Sequence, residues 1–192
     1  MRNINFRYIY ERTYRLLTSP EKEWPVIADE YYTLKEVFQN YIIPLSAVAS
    51  LFVLLFSFFQ YTVWQAIGLA IINLLSTITG TWLAFLITKE YLLNKLGDAE
   101  GIAQNLIIYS SAVFIVFHSA GIAFGNGFFG QLFTLLSFIF IRTLYIGINQ
   151  TAGMQANQKT NILIISSLSI ICIPVIIKHI LMIIFGISAF NV

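Results

Sequence analysis

The sequence predicts an all-α membrane protein: five transmembrane helices preceded by a cytoplasmic amphipathic N-terminal helix. Three observations carry this reading. Of the 192 residues, 58% are hydrophobic and only 10% charged, whereas a soluble domain is roughly 45–50% apolar and about 25% charged. The few charges are crowded: twelve of twenty fall in residues 1–40, six basic and six acidic. The remaining 152 residues hold eight, spread between long apolar runs. The net charge of +2 gives no field that would steer nucleic acid. High hydrophobicity with low net charge also excludes disorder.

A helix crossing the hydrocarbon core needs about 20 apolar residues. Between Glu36 and Lys89 lie 52 residues without a formal charge, room for two crossings. The first is placed at 41–59, the turn at Gln60-Tyr61-Thr62, and the second crossing at 63–88. A polar loop follows, from Lys89 to Glu100. Gly125-Asn126-Gly127 is a strong turn signal and divides the next run into crossings at 102–124 and 128–148. After a polar loop with Gly153 and Lys159, the fifth crossing is placed at 161–185. Its end is open: Lys178-His179 mark the outer interface, or one longer helix carries Lys178 outward. These runs are too long and too evenly apolar for barrel strands, and backbone satisfaction in lipid leaves helices.

Orientation follows from lysine and arginine in short flanks. The segment 1–40, the 89–100 loop and Lys159 share one side, and the turns at 60–62 and 125–130 carry no basic residue. The N-terminus is therefore placed in the cytoplasm and the C-terminus outside. The localisation expected is a cell membrane. Aromatic belts fit this frame, with Trp24, Tyr31, Tyr32, Tyr41, Trp82, Tyr91 and Tyr145 inside. Phe58, Phe59, Tyr61, Trp64, Phe128 and Phe129 lie outside.

Residues 20–40 read as one amphipathic helix. Trp24, Ile27, Tyr31, Leu34, Phe38 and Tyr41 recur at spacings of three or four. Ser19 or Thr18 caps it, and Pro20 suits a first turn. Pro25 would remove a hydrogen bond from a helix begun at 20, so a start at Pro25 is the alternative. Two functions compete for this helix: a membrane-surface face that docks a partner, or a lid packed on the inner ends of the crossings.

The run Ser19-Pro20-Glu21-Lys22-Glu23-Trp24-Pro25-Val26-Ile27, followed by Glu30, resembles the proline–tryptophan–isoleucine signature before the first crossing of Yip1-domain membrane proteins. Leu96-Gly97-Asp98-Ala99-Glu100-Gly101 is similar to that family's polar stretch before the third crossing. Tyr145 and Gly147 match the end of its fourth. The resemblance covers roughly residues 15–185 and implies a compact, bacterial-type five-crossing member. Two departures stand out. Tyr109-Ser110-Ser111-Ala112-Val113 lacks the proline family members often carry, and the N-terminal region is far shorter than in eukaryotic members. The resemblance implies a non-enzymatic protein that binds partners or organises membrane through its inner face. The candidate partner-binding residues are Pro20, Trp24, Ile27, Glu30 and Tyr31.

The competing reading is a small-molecule or ion transporter. Its polar path would run along Asn73, Asn105, His118 and Arg142, because ionisable groups within membrane are costly and often functional. Arg142 lies roughly 9 Å from the inner end of its helix at 1.5 Å per residue. There it can snorkel or pair with Glu90, Asp98 or Glu100. His118 falls at the opposite depth, so the two do not form one site. Asn73, Asn105, Ser110 and Ser111 also suit interhelical hydrogen bonds. Ser76-xxx-Gly80-xxx-Ala84 and Gly121-xxx-Gly125 are close-packing seams, for use within the monomer or in a homo-oligomer. Pro174 is expected to kink the fifth crossing. Cys172 reads as a small buried hydrophobe. The sequon Asn149-Gln150-Thr151 falls on the inner side. No nucleophile–base pair, metal cluster or phosphate loop emerges, so no cofactor is expected.

Overall fold

A computed structural model describes residues 5–30, 32–93, 99–150 and 155–187. The described residues are helical apart from short turns. Five helices are long and apolar enough to cross a bilayer, which makes this a multi-pass membrane protein. They run Leu34–Ser57, Val63–Leu93, Ala99–Phe124, Phe128–Gln150 and Ala156–Ile184, here the first to fifth spans. Two shorter helices precede them: α1, Phe6–Thr18, and α2, Pro20–Ala28.

The single helix expected over 20–40 is two pieces. The α2 helix stops at Ala28, and the first span starts afresh at Leu34. Thr33 and Glu36 explain the restart. The Thr33 hydroxyl accepts from the Glu36 N–H while Glu36 reaches back to the Thr33 N–H, a complete capping box. The α2 helix does begin at Pro20 despite Pro25. Pro25 cannot donate to the Glu21 carbonyl, and Gln150 Nε2, from the end of the fourth span, donates to that oxygen instead at 3.1 Å. A backbone defect in α2 thus becomes a tie to the bundle.

The third span is the centre of the bundle. In its most apolar stretch 83% of residues are buried, against 28–50% in the other four. It touches the other four spans and α1. Polar groups join spans at depth. Asn73 Nδ2 donates to Ser50 Oγ at 3.0 Å and to Ser119 Oγ at 3.1 Å, tying the first, second and third spans. Thr88 and Ser166 hydroxyls meet at 3.2 Å between the second and fifth.

Both small-residue seams pack within the monomer. A Cβ on Gly80 would stand 2.5 Å from Pro174 Cγ and 3.0 Å from Pro174 Cα, so the second and fifth spans touch there. A Cβ on Gly121 would meet Thr134 Oγ1 at 2.5 Å on the fourth span. Gly125 turns the chain with a φ of +62°, in the left-handed region that favours glycine.

Two further expectations change, and one left open is decided. The fourth span is not one continuous helix but two, Phe128–Leu136 and Ile139–Gln150. The Thr134 hydroxyl donates to the Gly130 carbonyl and the Ser137 hydroxyl to the Thr134 carbonyl. Such back-bonding competes with the helix ladder and bends it. The fifth span runs on past Pro174 and Lys178 to Ile184, the longer alternative. Cys172 is exposed rather than buried, on the outside of that helix.

The Gly80–Pro174 contact yields a test. Gly80→Val should cost about 1–3 kcal/mol by overpacking, seen as a lower thermal midpoint of the purified protein in detergent. Thr79→Val, one residue along on the exposed face, should leave the midpoint within error. Equal tolerance at both positions would remove the seam from the account.

Candidate functional site

The chemistry-bearing residues gather where α1 and α2 cover one end of the bundle. This cap end holds the start of the first, third and fifth spans and the finish of the second and fourth. Burial along α1 falls on Ile9, Arg12, Thr13 and Leu16, one stripe at helical spacing. That stripe carries a guanidinium. Arg12 is 5% exposed, and groups from several elements surround it. Its Nη1 lies 2.7 Å from Glu23 Oε1, and its Nη2 pairs with the Glu30 carboxylate. Its Nη2 also donates to Tyr8 OH at 3.2 Å. Its Cζ sits 5.2 Å from the Tyr8 ring centre and 5.7 Å from that of Tyr109 in the third span. Such distances are those of cation–π contact.

The electrostatics follow from this packing. Burial opposes the Arg12 charge, yet Tyr8 and Glu30 outweigh it, and the pKa lies above the ordinary arginine value. Burial lifts the Tyr8 phenol above its ordinary range, although Arg12 pulls the other way. Beside this cluster, Thr13 and Tyr41 hydroxyls meet at 3.0 Å, linking α1 to the first span.

Trp24 is the second anchor. Its ring packs against Gly147 of the fourth span, where any Cβ would stand 2.5 Å from Trp24 Cζ2. Its indole N–H donates to the Thr143 carbonyl at 2.8 Å, and its ring meets Tyr109 edge-on at 6.5 Å. The Thr143 hydroxyl in turn donates to the Leu16 carbonyl of α1. Glycine is required at 147 because an indole occupies the space of its side chain.

The residues assigned to partner binding are therefore placed unevenly. Pro20, Trp24 and Ile27 are buried against the chain's own bundle. Glu30 is partly buried and paired with Arg12. Tyr31 lies outside the described residues. Of the belt aromatics, Trp24 and Tyr41 are internal, while Trp82 and Tyr145 face outward.

The four polar-path residues are not brought together. Asn73 is buried and bonded as described. Asn105 is half-buried, as is His118, which stacks on Phe114 at 4.8 Å. Arg142 is exposed and pairs with Glu21 Oε1 of α2 at 2.9 Å, not with Glu90 or Glu100; Asp98 lies outside the described residues. The α2 helix lies over the end of the fourth span and presents the nearer carboxylate. Glu100 pairs with Lys89.

Two cavities open at this end. One, about 240 Å³, is lined by residues of α1, the first span and the third span, with Tyr32 at its edge. The other, about 220 Å³, lies between the fourth and fifth spans beside Lys159 and Tyr145. None of the four polar-path residues lines either one.

Sequence reasoning missed α1 and Arg12. An arginine in the middle of the buried stripe disguised the apolar face. The detectable signal was Ile9 and Leu16, two turns apart, with Thr13 between them.

Arg12→Met should leave the Glu30 carboxylate without its cation and Glu23 with only the longer Arg15 pair at 3.8 Å, and cost about 3–5 kcal/mol, with the cap becoming sensitive to limited proteolysis. Trp24→Phe keeps an aromatic ring but loses the Thr143 bond, for about 0.5–1.5 kcal/mol. Unchanged proteolysis of the Arg12→Met protein would contradict the assigned role of the ion cluster. Among known proteins, no family model, no curated protein and no solved structure matches the chain.

Proposed function

We propose that the chain is a non-enzymatic, Yip1-like protein of a bacterial cytoplasmic membrane, cytoplasmic at its N-terminus and external at its C-terminus. In this reading the cap organises the inner leaflet by holding α1 against anionic headgroups. The observation that carries it is the outward face of α1. With Ile9, Arg12, Thr13 and Leu16 turned inward, the outer face presents Phe6, Tyr10 and Tyr14, which are 58%, 69% and 55% exposed. Arg7 and Arg15 flank them, also exposed, with Glu11 between them paired to Arg7 at 2.7 Å and 3.9 Å from Arg15. Aromatics interleaved with arginines on a helix suit the boundary between headgroups and acyl chains, and each basic residue adds about 1 kcal/mol near an anionic surface.

The family reading has its own support. Trp24 and Gly147, two features of the resemblance 123 positions apart in the chain, meet in one contact. The basic residues of α1 and α2 and Lys159 lie at the cap end, consistent with a cytoplasmic cap.

The surface reading is tested with a photocrosslinking residue at Tyr10, in cells labelled with radioactive lipid. It should capture phosphatidylglycerol or another anionic lipid, and the same residue at Trp24 should not. Capture of protein alone, or of nothing, would defeat the proposal. Orientation is checked separately, in a Cys172→Ser background, with single cysteines at Asn126 and Asn157. An impermeant thiol reagent should label Asn126→Cys in intact cells and spare Asn157→Cys. The reverse pattern would invert the topology.

A further inference from the structure

Charge is unbalanced at the end of the bundle away from the cap. The nine acidic residues fall within residues 11–36 and 90–100, and residues 37–89 and 101–192 hold none. The turns and span ends opposite the cap therefore carry no side-chain carboxylate. Among the described lysines and arginines, Lys178 alone lies toward that end. The fifth span starts at Ala156, so Lys178 stands about 33 Å along it at 1.5 Å per residue. A hydrocarbon core roughly 30 Å thick gives way to headgroups near that depth. The Lys178 side chain is half-buried, and no hydrogen-bond acceptor or carboxylate among the described residues meets its ammonium. A cation so placed is costly without an anion beside it.

The packing around Lys178 leaves a place for that anion. The cover of the third span is incomplete at Val116, Phe117, His118 and Ala120, which are only half-buried. Two pieces of the fourth span meet it differently. Both Phe128–Leu136 and Ile139–Gln150 pack on the third span, but only Ile139–Gln150, on the cap side of the break, packs to a comparable extent on the fifth. Beyond the break the fourth and fifth spans stand apart. His118 lies between them. Its ring stacks on Phe114, which meets Phe140 of the fourth span edge-on at 5.6 Å. It is also within electrostatic reach of Lys178 and His179 of the fifth. Leu132, Leu135 and Ile176 are exposed on the two flanking spans. An ammonium and an imidazole at headgroup depth, beside apolar surface open to the bilayer, suit a lipid phosphate and its acyl chain.

We propose that the gap between the fourth and fifth spans holds one phospholipid of the leaflet opposite the cap, its phosphate oxygens accepting from the Lys178 ammonium and the His118 imidazole. The lipid supplies the negative charge that the side chains lack at this end, and its acyl chain covers the surface that the fourth span leaves open. His179 stands beside the site with its Nδ1–H donated to the Val175 carbonyl at 2.8 Å. The site depends neither on the family reading nor on the lipid-facing role of α1.

The test uses the full chain in an uncharged detergent, with a glycine–serine tail after Val192 that holds the terminal carboxylate away from Lys178. Dioctanoyl phosphatidylglycerol is titrated in and counted by native mass spectrometry. One lipid should bind saturably, dioctanoylglycerol, which lacks the phosphate, should not, and inorganic phosphate should not displace the lipid. Lys178→Gln should weaken binding about tenfold or more, and Lys178→Arg should restore it. His118→Phe should weaken binding in the same direction and serves as a second variant. Without lipid, Lys178→Gln should melt no lower than the unaltered protein, because it removes an unpaired charge from an apolar setting. Absence of saturable binding, unchanged affinity in both Lys178→Gln and His118→Phe, or displacement by inorganic phosphate would overturn the proposal. Arg7→Ala with Arg15→Ala strips the α1 surface of its cations and should leave this lipid bound. Loss of the lipid in that double variant, with retention in Lys178→Gln, would place it on α1 and overturn the site while supporting the α1 reading.

Discussion

Arg12 is the constraint around which the cap is organised. A guanidinium buried without partners would be prohibitively costly, so its position obliges other elements to come to it. Glu23 and Glu30 arrive from α2 and its C-terminal turn, Tyr8 from one turn back in α1, and Tyr109 from the centre of the bundle. A buried ion cluster is weak evidence of net stability, since the desolvation cost offsets much of the attraction. What it supplies is position. The cluster brings α1, α2 and the third span to one point.

Trp24 and Gln150 continue the same logic on the other side of α2. Trp24 fills the space left by Gly147. Gln150 bonds the carbonyl that Pro25 leaves without a helical donor. The cap is therefore held at both flanks, and the Phe6–Tyr10–Tyr14 face of α1 looks outward. Within the bundle, the third span is buried on nearly all sides, and the Asn73 bonds and the Gly80–Pro174 contact fix its neighbours. A rigid base under a fixed cap leaves the cap-end cavity with walls of defined geometry.

The bundle was legible because the bilayer imposes length and apolarity on any crossing, and the chain's charges mark the ends. The five crossings lie where the uncharged runs place them, with ends shifted by a few residues: the first starts at Leu34 rather than 41, the fifth at Ala156 rather than 161. Polar residues such as Lys89 and Glu100 extend the helices beyond the apolar run, so hydropathy alone sets those boundaries short. The cap was less legible. Trp24 and Ile27 form a convincing apolar face, but a face cannot say whether it meets a partner or its own chain. Arg12 was invisible for the opposite reason. A charge reads as solvent-exposed until the carboxylates that neutralise it, eleven and eighteen residues away, are seen beside it. The break in the fourth span had no proline to announce it and rests on hydroxyl back-bonding from Thr134 and Ser137.

The central claim is that α1 and α2 are an integral part of the bundle, held by Arg12, rather than a mobile tail. Hydrogen exchange of the full protein in nanodiscs, followed by mass spectrometry, tests it most directly. Amides of residues 9–28 should be protected to the same order as those of the fourth span's second half. Arg12→Met should release them together while the third span stays protected. Fast exchange across residues 9–28 in the unaltered protein, with the spans protected, would contradict the account.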